Sequence, residues 1–222
     1  NLNAGSGDDS IDGGAGEDTL TGGAGADILN GDAGADLING GTENDTISGG
    51  LDADTINGED GNDLLYGDAG NDSILGGRDD DSIDGGDNDD TILGERGFDV
   101  IKGGDGADSL VGGDHNDTID GGNGNDLVNG NDGEDALLGG ADNDTLLGGS
   151  KQDLLLGGTG ADDIRGQGST GDTLVGETGL DGAADDTPDP GDIFDDAALD
   201  LINNAFVLET ERQDILDQLN SF

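Results

Sequence analysis

The sequence predicts an all-β solenoid in which two nine-residue units complete one coil. Three observations predict it: a strict nonapeptide period, one aliphatic residue at a fixed place in every unit, and glycine at fixed turn positions. Asp occupies every ninth position from Asp9 to Asp162, 18 times of 18. Two residues later stands Ile, Leu or Val, from Ile11 to Ile164, and four residues later Gly, from Gly13 to Gly166, each again 18 of 18. A short period held in phase over this length marks stacked units that share one continuous core.

The first strand is expected at Asn1-Leu2-Asn3, because Leu2 lies nine residues before Ile11. With no cap before it, we read the chain as a segment of a longer array. One full unit reads Gly13-Gly14-Ala15-Gly16-Glu17-Asp18-Thr19-Leu20-Thr21. Its first six residues are expected to turn. Its last three form a short strand in which Leu20 points inward while Thr19 and Thr21 point out. The fourth position is Gly in 11 of 18 units and elsewhere Asp52, Asp79, Asn88, Asp142, His115, Glu43 or Lys151. Asp, Asn and His tolerate a left-handed backbone best among the other residues, so this position predicts positive φ. Glu43 and Lys151 fit less well, and strained or altered turns are expected there. A strand of three residues is unstable alone. Successive units must reverse direction and pair with the coil above at ~4.8 Å, and roughly nineteen strands give a rod of about 45 Å.

Composition sets the conditions for that fold. The chain has 222 residues, with 54 Asp or Glu against 6 Lys or Arg, a formal charge of −48. Hydrophobic residues are 30% and aromatics 2%, a profile that belongs to disordered chains. One aliphatic per nine residues is too thin a core to offset the chain entropy unaided. Nucleic acid is excluded as a partner by the charge, and the absence of Cys excludes disulfides and thiolate metal sites. No apolar run is long enough to span a membrane as a helix.

Two units per coil place the turns of alternate units on opposite edges. Asp9, Asp27, Asp45, Asp63, Asp81, Asp99, Asp117, Asp135 and Asp153 stack on one edge. Asp18, Asp36, Asp54, Asp72, Asp90, Asp108, Asp126, Asp144 and Asp162 stack on the other. Carboxylates about 5 Å apart repel strongly unless a cation lies between them. Carboxylates with turn carbonyls, from first glycines such as Gly13, Gly22, Gly67, Gly103 and Gly121, form a hard oxygen set that suits Ca²⁺ better than Mg²⁺. Eight gaps per edge give about 16 ions, which would lower the net charge to about −16. Metal binding and folding then become one event.

The unit Gly-Gly-x-Gly-x-Asp-x-apolar-x resembles the nonapeptide of the repeats-in-toxin (RTX) family, over residues 1 to about 183. The resemblance implies a right-handed parallel β-roll with Ca²⁺ held between same-edge turns by Asp side chains and backbone carbonyls. It implies export through a type I system, unfolded at low cytosolic calcium, with folding outside the cell. Asp32, Glu59, Glu95, Asn131 and Gln167 depart from the family's glycines, and weaker binding is expected in those turns.

At the C-terminal side the register slips by one residue within Gln167-Gly168-Ser169-Thr170-Gly171 and resumes with Asp172, a further metal candidate, and Leu174. A last turn has Ala183 where the aliphatic should stand, closing a roll over residues 1–184. The Pro- and Asp-containing stretch 185–194 reads as a linker. Leu199, Ile202 and Phe206, then Leu208, Ile215, Leu216 and Leu219, recur at helical spacing, so 195–222 is expected as amphipathic helix, a cap or export signal. Ala136, Leu138, Leu154 and Leu156 gather outward on the last two coils of one sheet, where we expect that helix to dock.

Catalysis finds no support. His115, the one histidine, sits at a turn position, and paired carboxylates are expected by chance in so acidic a chain. Outward Thr residues alternate with Ser, Leu and Val, against an ice-binding face. The sequence therefore reads as a secreted, calcium-binding, non-enzymatic scaffold, such as an adhesin, surface-layer or filament segment. Its partners would be calcium, other copies or cell-surface polysaccharide. The rival reading is the calcium-dependent folding module of a secreted protease, lipase or pore-former.

Overall fold

The computed structural model describes residues 1–168, 171–176, 182–183 and 193–196. They form 22 strands, β1 (Leu2–Ser6) to β22 (Ile193–Asp196), in two 11-stranded sheets. Odd-numbered strands make the first sheet and even-numbered strands the second, each strand pairing in parallel with the one two places along. The chain is thus a parallel β-solenoid of about ten coils, as the period predicts. Among the described residues it contains no helix.

Register follows from the repeat. Leu20 pairs with Ile38 in the first sheet and Leu29 with Ile47 in the second, a step of eighteen residues each time. The aliphatic columns meet between the sheets, where Leu20 to Ile164 are essentially fully buried. Leu2 and Ile11, in the first coil, remain partly open. The slip near residue 168 is absorbed within a turn: β18 (Leu154–Thr159) pairs with β20 (Thr173–Gly176), setting Leu155 beside Leu174 at a step of nineteen.

The strands are longer than the three residues expected. In β3 (Thr19–Ala24) the ladder continues through Gly23 and Ala24, skipping only Gly22. The turn proper is then the three residues Gly25, Ala26 and Asp27. Parallel stacking at constant register lets turn backbone pair with turn backbone, so two more residues per unit join the sheet.

The C-terminal side departs from the sequence reading in one place. The boundary between linker and helix, expected at 194/195, falls inside β22, which pairs with β20 and sets Phe194 at the register position of Leu174. Asp195 and Asp196 are strand, not the start of a helix. Ala183, in β21 (Gly182–Ala183), takes the register position of Ile164. The rest of the expected linker and helix lies outside the described residues.

Candidate metal centre

The turn backbone creates the site. From Gly5 to Gln167 the second position of each turn has positive φ, and so does the fourth, from Gly7 to Gly160, in all turns but those of Gly106 and Gly133. The fourth includes all seven non-glycines: Glu43, Asp52, Asp79, Asn88, His115, Asp142 and Lys151, at φ between 73° and 88°. Glu43 and Lys151 thus keep the common backbone, and their turns are not rearranged. Sequence reasoning missed the second position as a left-handed one, although Asp32, Glu59, Asp68, Glu95, Asn131 and Gln167 occupy it at φ from 60° to 78°. Asp and Asn there are the usual signal of positive φ, but Glu and Gln dilute it.

This turn carries the repeat Asp inward, beneath the backbone of its own edge. The carboxylates from Asp27 to Asp172 are almost wholly buried, while Asp9 and Asp18 in the first coil are only partly so. One oxygen of each is pinned. The Asp9 N–H donates to Asp27 Oδ1 at 2.8 Å, Asp27 N–H to Asp45 Oδ1 at 2.8 Å, and Asp63 N–H to Asp81 Oδ1 at 2.9 Å. The other edge repeats the pattern, with Asp18 N–H to Asp36 Oδ1 at 2.7 Å and Asp72 N–H to Asp90 Oδ1 at 2.8 Å. The ladders end at Asp153 N–H to Asp172 Oδ1 and Asp144 N–H to Asp162 Oδ1, both 3.0 Å. The geometry brings together same-edge carboxylates only, and Asp172 joins the edge of Asp153.

The second oxygen has no donor. From Asp27 to Asp153, Oδ2 is buried and accepts no hydrogen bond. It faces an oxygen-lined cradle over the first glycine of its own turn. A Cβ placed on Gly22 would lie 2.4 Å from Asp27 Oδ2 and 2.6 Å from the Gly40 carbonyl oxygen of the next coil. The same point over Gly67 lies 2.5 Å from Asp72 Oδ2 and 2.4 Å from Gly85 O. Over Gly103 the distances are 2.4 Å to Asp108 Oδ2 and 2.5 Å to Gly121 O, and over Gly121 they are 2.5 Å to both Asp126 Oδ2 and Gly139 O. Over Gly13, in the open first coil, Gly31 O stands at 2.9 Å and no Asp oxygen comes so near.

Electrostatics mark the cradle as incomplete without a cation. Burial pushes the Asp81 and Asp117 carboxyls up to about 8, and the charge of same-edge neighbours pushes the same way, against the N–H that each accepts. Asp90, Asp144 and Asp153 are driven up to about 7 by the same causes. A buried carboxylate oxygen without a donor costs several kcal/mol when charged, so these groups take a proton or a cation. Among the described residues no three acidic, histidine or cysteine side chains converge on one point. Any ion here is held by carboxylate and backbone carbonyl together, a hard donor set that fits calcium and offers nothing to soft metals.

Two other features stand apart from this centre. His115 lies on an exposed turn, its Nδ1 2.8 Å from Asp114 O and its ring against Phe98 at 5.4 Å. The fifth turn position, which the sequence reading passed over, forms a second coil-to-coil pin running the other way. Asn62 N–H donates to Asn44 Oδ1 at 3.2 Å, Phe98 N–H to Asp80 Oδ1 at 2.9 Å, and Ala161 N–H to Asn143 Oδ1 at 2.9 Å. Among the described residues no helix is long and apolar enough to cross a membrane.

A family model described as the RTX calcium-binding nonapeptide repeat (4 copies) matches the chain in overlapping windows, from 3–38 and 30–65 through 111–146 and 138–168. No curated protein matches it.

Proposed function

Since the chain belongs to the RTX calcium-binding nonapeptide repeat family, we propose that it works as an extracellular structural scaffold. It is exported unfolded, takes up about 16 calcium ions between same-edge turns, and then serves as a stiff adhesive or filament segment. Its ligands are the repeat Asp carboxylates with the carbonyls of the first glycines, Gly22, Gly67, Gly103 and Gly121 among them. Calcium supplies the positive charge that lets stacked carboxylates stay ionised while buried.

The observation that carries this reading is the donorless Oδ2 repeated in gap after gap. A catalytic centre is one constellation, whereas this arrangement is periodic and offers the same chemistry along the whole length. Periodicity of that kind serves stiffness and extended contact.

Circular dichroism in chelator and then in millimolar Ca²⁺ tests the calcium step. A disordered spectrum should convert to β on adding calcium, and full β signal in chelator would overturn it. Adsorption to polysaccharide-coated surfaces, with and without calcium, tests the adhesive role.

A further inference from the structure

The outer face of the second sheet changes character toward its C-terminal end. One column of outward residues, paired strand to strand, carries Asp84 on β10 (Ser82–Asp87), Lys102 on β12 (Val100–Asp105) and Asp120 on β14 (Thr118–Asn123). The same column then carries Leu138 on β16 (Ala136–Ala141), Leu156 on β18 and Val175 on β20. Leu138 is 7% exposed and Leu156 2%, with Val100, Ala136, Leu154 and Val175 packed against them.

Neighbouring strands alone do not bury an outward leucine so far. The first sheet supplies the comparison, because Leu75, Leu93 and Val111 stack in the equivalent column on three consecutive strands. Leu93 is flanked by apolar side chains on both sides, as Leu156 is, yet it remains only partly buried. Something beyond the sheet covers Leu156.

Where the chain goes next identifies the cover. β22 lies one strand beyond β20 in this same sheet, and 26 residues follow Asp196. Leu199, Ile202 and Phe206 give that segment an apolar stripe at helical spacing. As a helix, residues 197–219 would reach about 35 Å. The distance from β22 back to β12 is five strand spacings, about 24 Å. Length, origin and apolar stripe all fit the patch.

We propose that residues 197–222 fold back along the outer face of the second sheet and cover the patch of Leu138 and Leu156, clamping the last coils together. The chain has no cysteine, so a single introduced thiol reports its own exposure in the calcium-loaded full chain. Leu156→Cys should react with a thiol reagent at least tenfold more slowly than Leu75→Cys. Adding Ile202→Asp and Phe206→Asp should bring Leu156→Cys to the rate of Leu75→Cys and leave Leu75→Cys unchanged. Circular dichroism checks that each variant keeps the roll. Equal rates for the two single variants would overturn the proposal, as would slow labelling that survives the two Asp substitutions. Protection that disappears on dilution would instead assign the cover to a second copy, and would overturn it too.

Discussion

At the level of single residues, each turn is built from two kinds of glycine that do different work. The second position takes positive φ, and so does the fourth except at Gly106 and Gly133. The first position does not, and from Gly22 onward its glycine is required because a Cβ there would strike the carboxylate of its own turn and, in most turns, the carbonyl of the next coil. Gly85→Ala should therefore be costly: its Cβ would stand 2.5 Å from Asp90 Oδ2 and 2.6 Å from Gly103 O. We expect a loss of about 1–3 kcal/mol and of the calcium in that gap, read from thermal unfolding and metal content. Glu95→Gly, at a second position with φ 75°, should gain about 0.5–1 kcal/mol instead, since the left-handed penalty exceeds the entropy that glycine adds to the unfolded chain. Asp90→Asn should keep the 2.8 Å bond from Asp72 N–H while removing the charge, and so should lose metal only on the edge of Asp72 and Asp108. Loss at Asp81 and Asp99 as well would contradict the edge assignment. The invariance of the first glycine was plain in the sequence. Its reason was not, because the clash involves a residue eighteen positions away.

At the level of strand and turn, the stacked carboxylates make folding sensitive to protons as well as to calcium. Asp45, Asp54, Asp72, Asp99, Asp108 and Asp135 are raised to about 6, first by burial, and Asp81 and Asp117 to about 8. A carboxyl with a higher pKa in the roll than in the unfolded chain holds its proton more tightly when folded. Its contribution to the metal-free roll is complete below the unfolded value of about 3.9 and is lost as pH rises through the folded value. The chelated chain should therefore gain β signal as pH is lowered from 8 to 4, and calcium uptake should release protons. A chelated chain as disordered at pH 4 as at pH 8 would count against this. The strand pattern itself was legible, since one aliphatic between two outward residues fixes both face and register. The extension of each strand through the second glycine was not, because it comes from turn-on-turn pairing that no single unit encodes. Glu43 and Lys151 show a similar limit: propensity predicts a different turn there, and stacking on regular neighbours imposes the common one.

At the level of the whole molecule, every pairing from β1 to β19 links a residue to the one eighteen positions away, and the two edges never exchange partners. The fold therefore behaves as a one-dimensional array in which the sum of unit and interface terms sets stability. Removing residues 82–99 deletes one complete coil. Asp81 then precedes Val100 as Asp99 did, Leu65 takes Ile101 as its neighbour in place of Ile83, and Asp72 meets Asp108 across the gap where Asp90 stood. Every remaining strand keeps its sheet and every remaining Asp its edge. The shortened chain should bind about two fewer calcium ions, one for each lost gap, and keep its β signal per residue in saturating calcium. Deleting Ile83 alone should do more damage than deleting the whole coil. It would shift the following residues by one against both neighbouring strands and turn their side chains to the opposite face, unless a turn absorbs the slip as the one near Gly168 does. The comparison of the two deletions by calcium content and unfolding temperature separates an array from an ordinary globular core. In a globular core the removal of eighteen residues would be the more destructive change, and that outcome would refute the array.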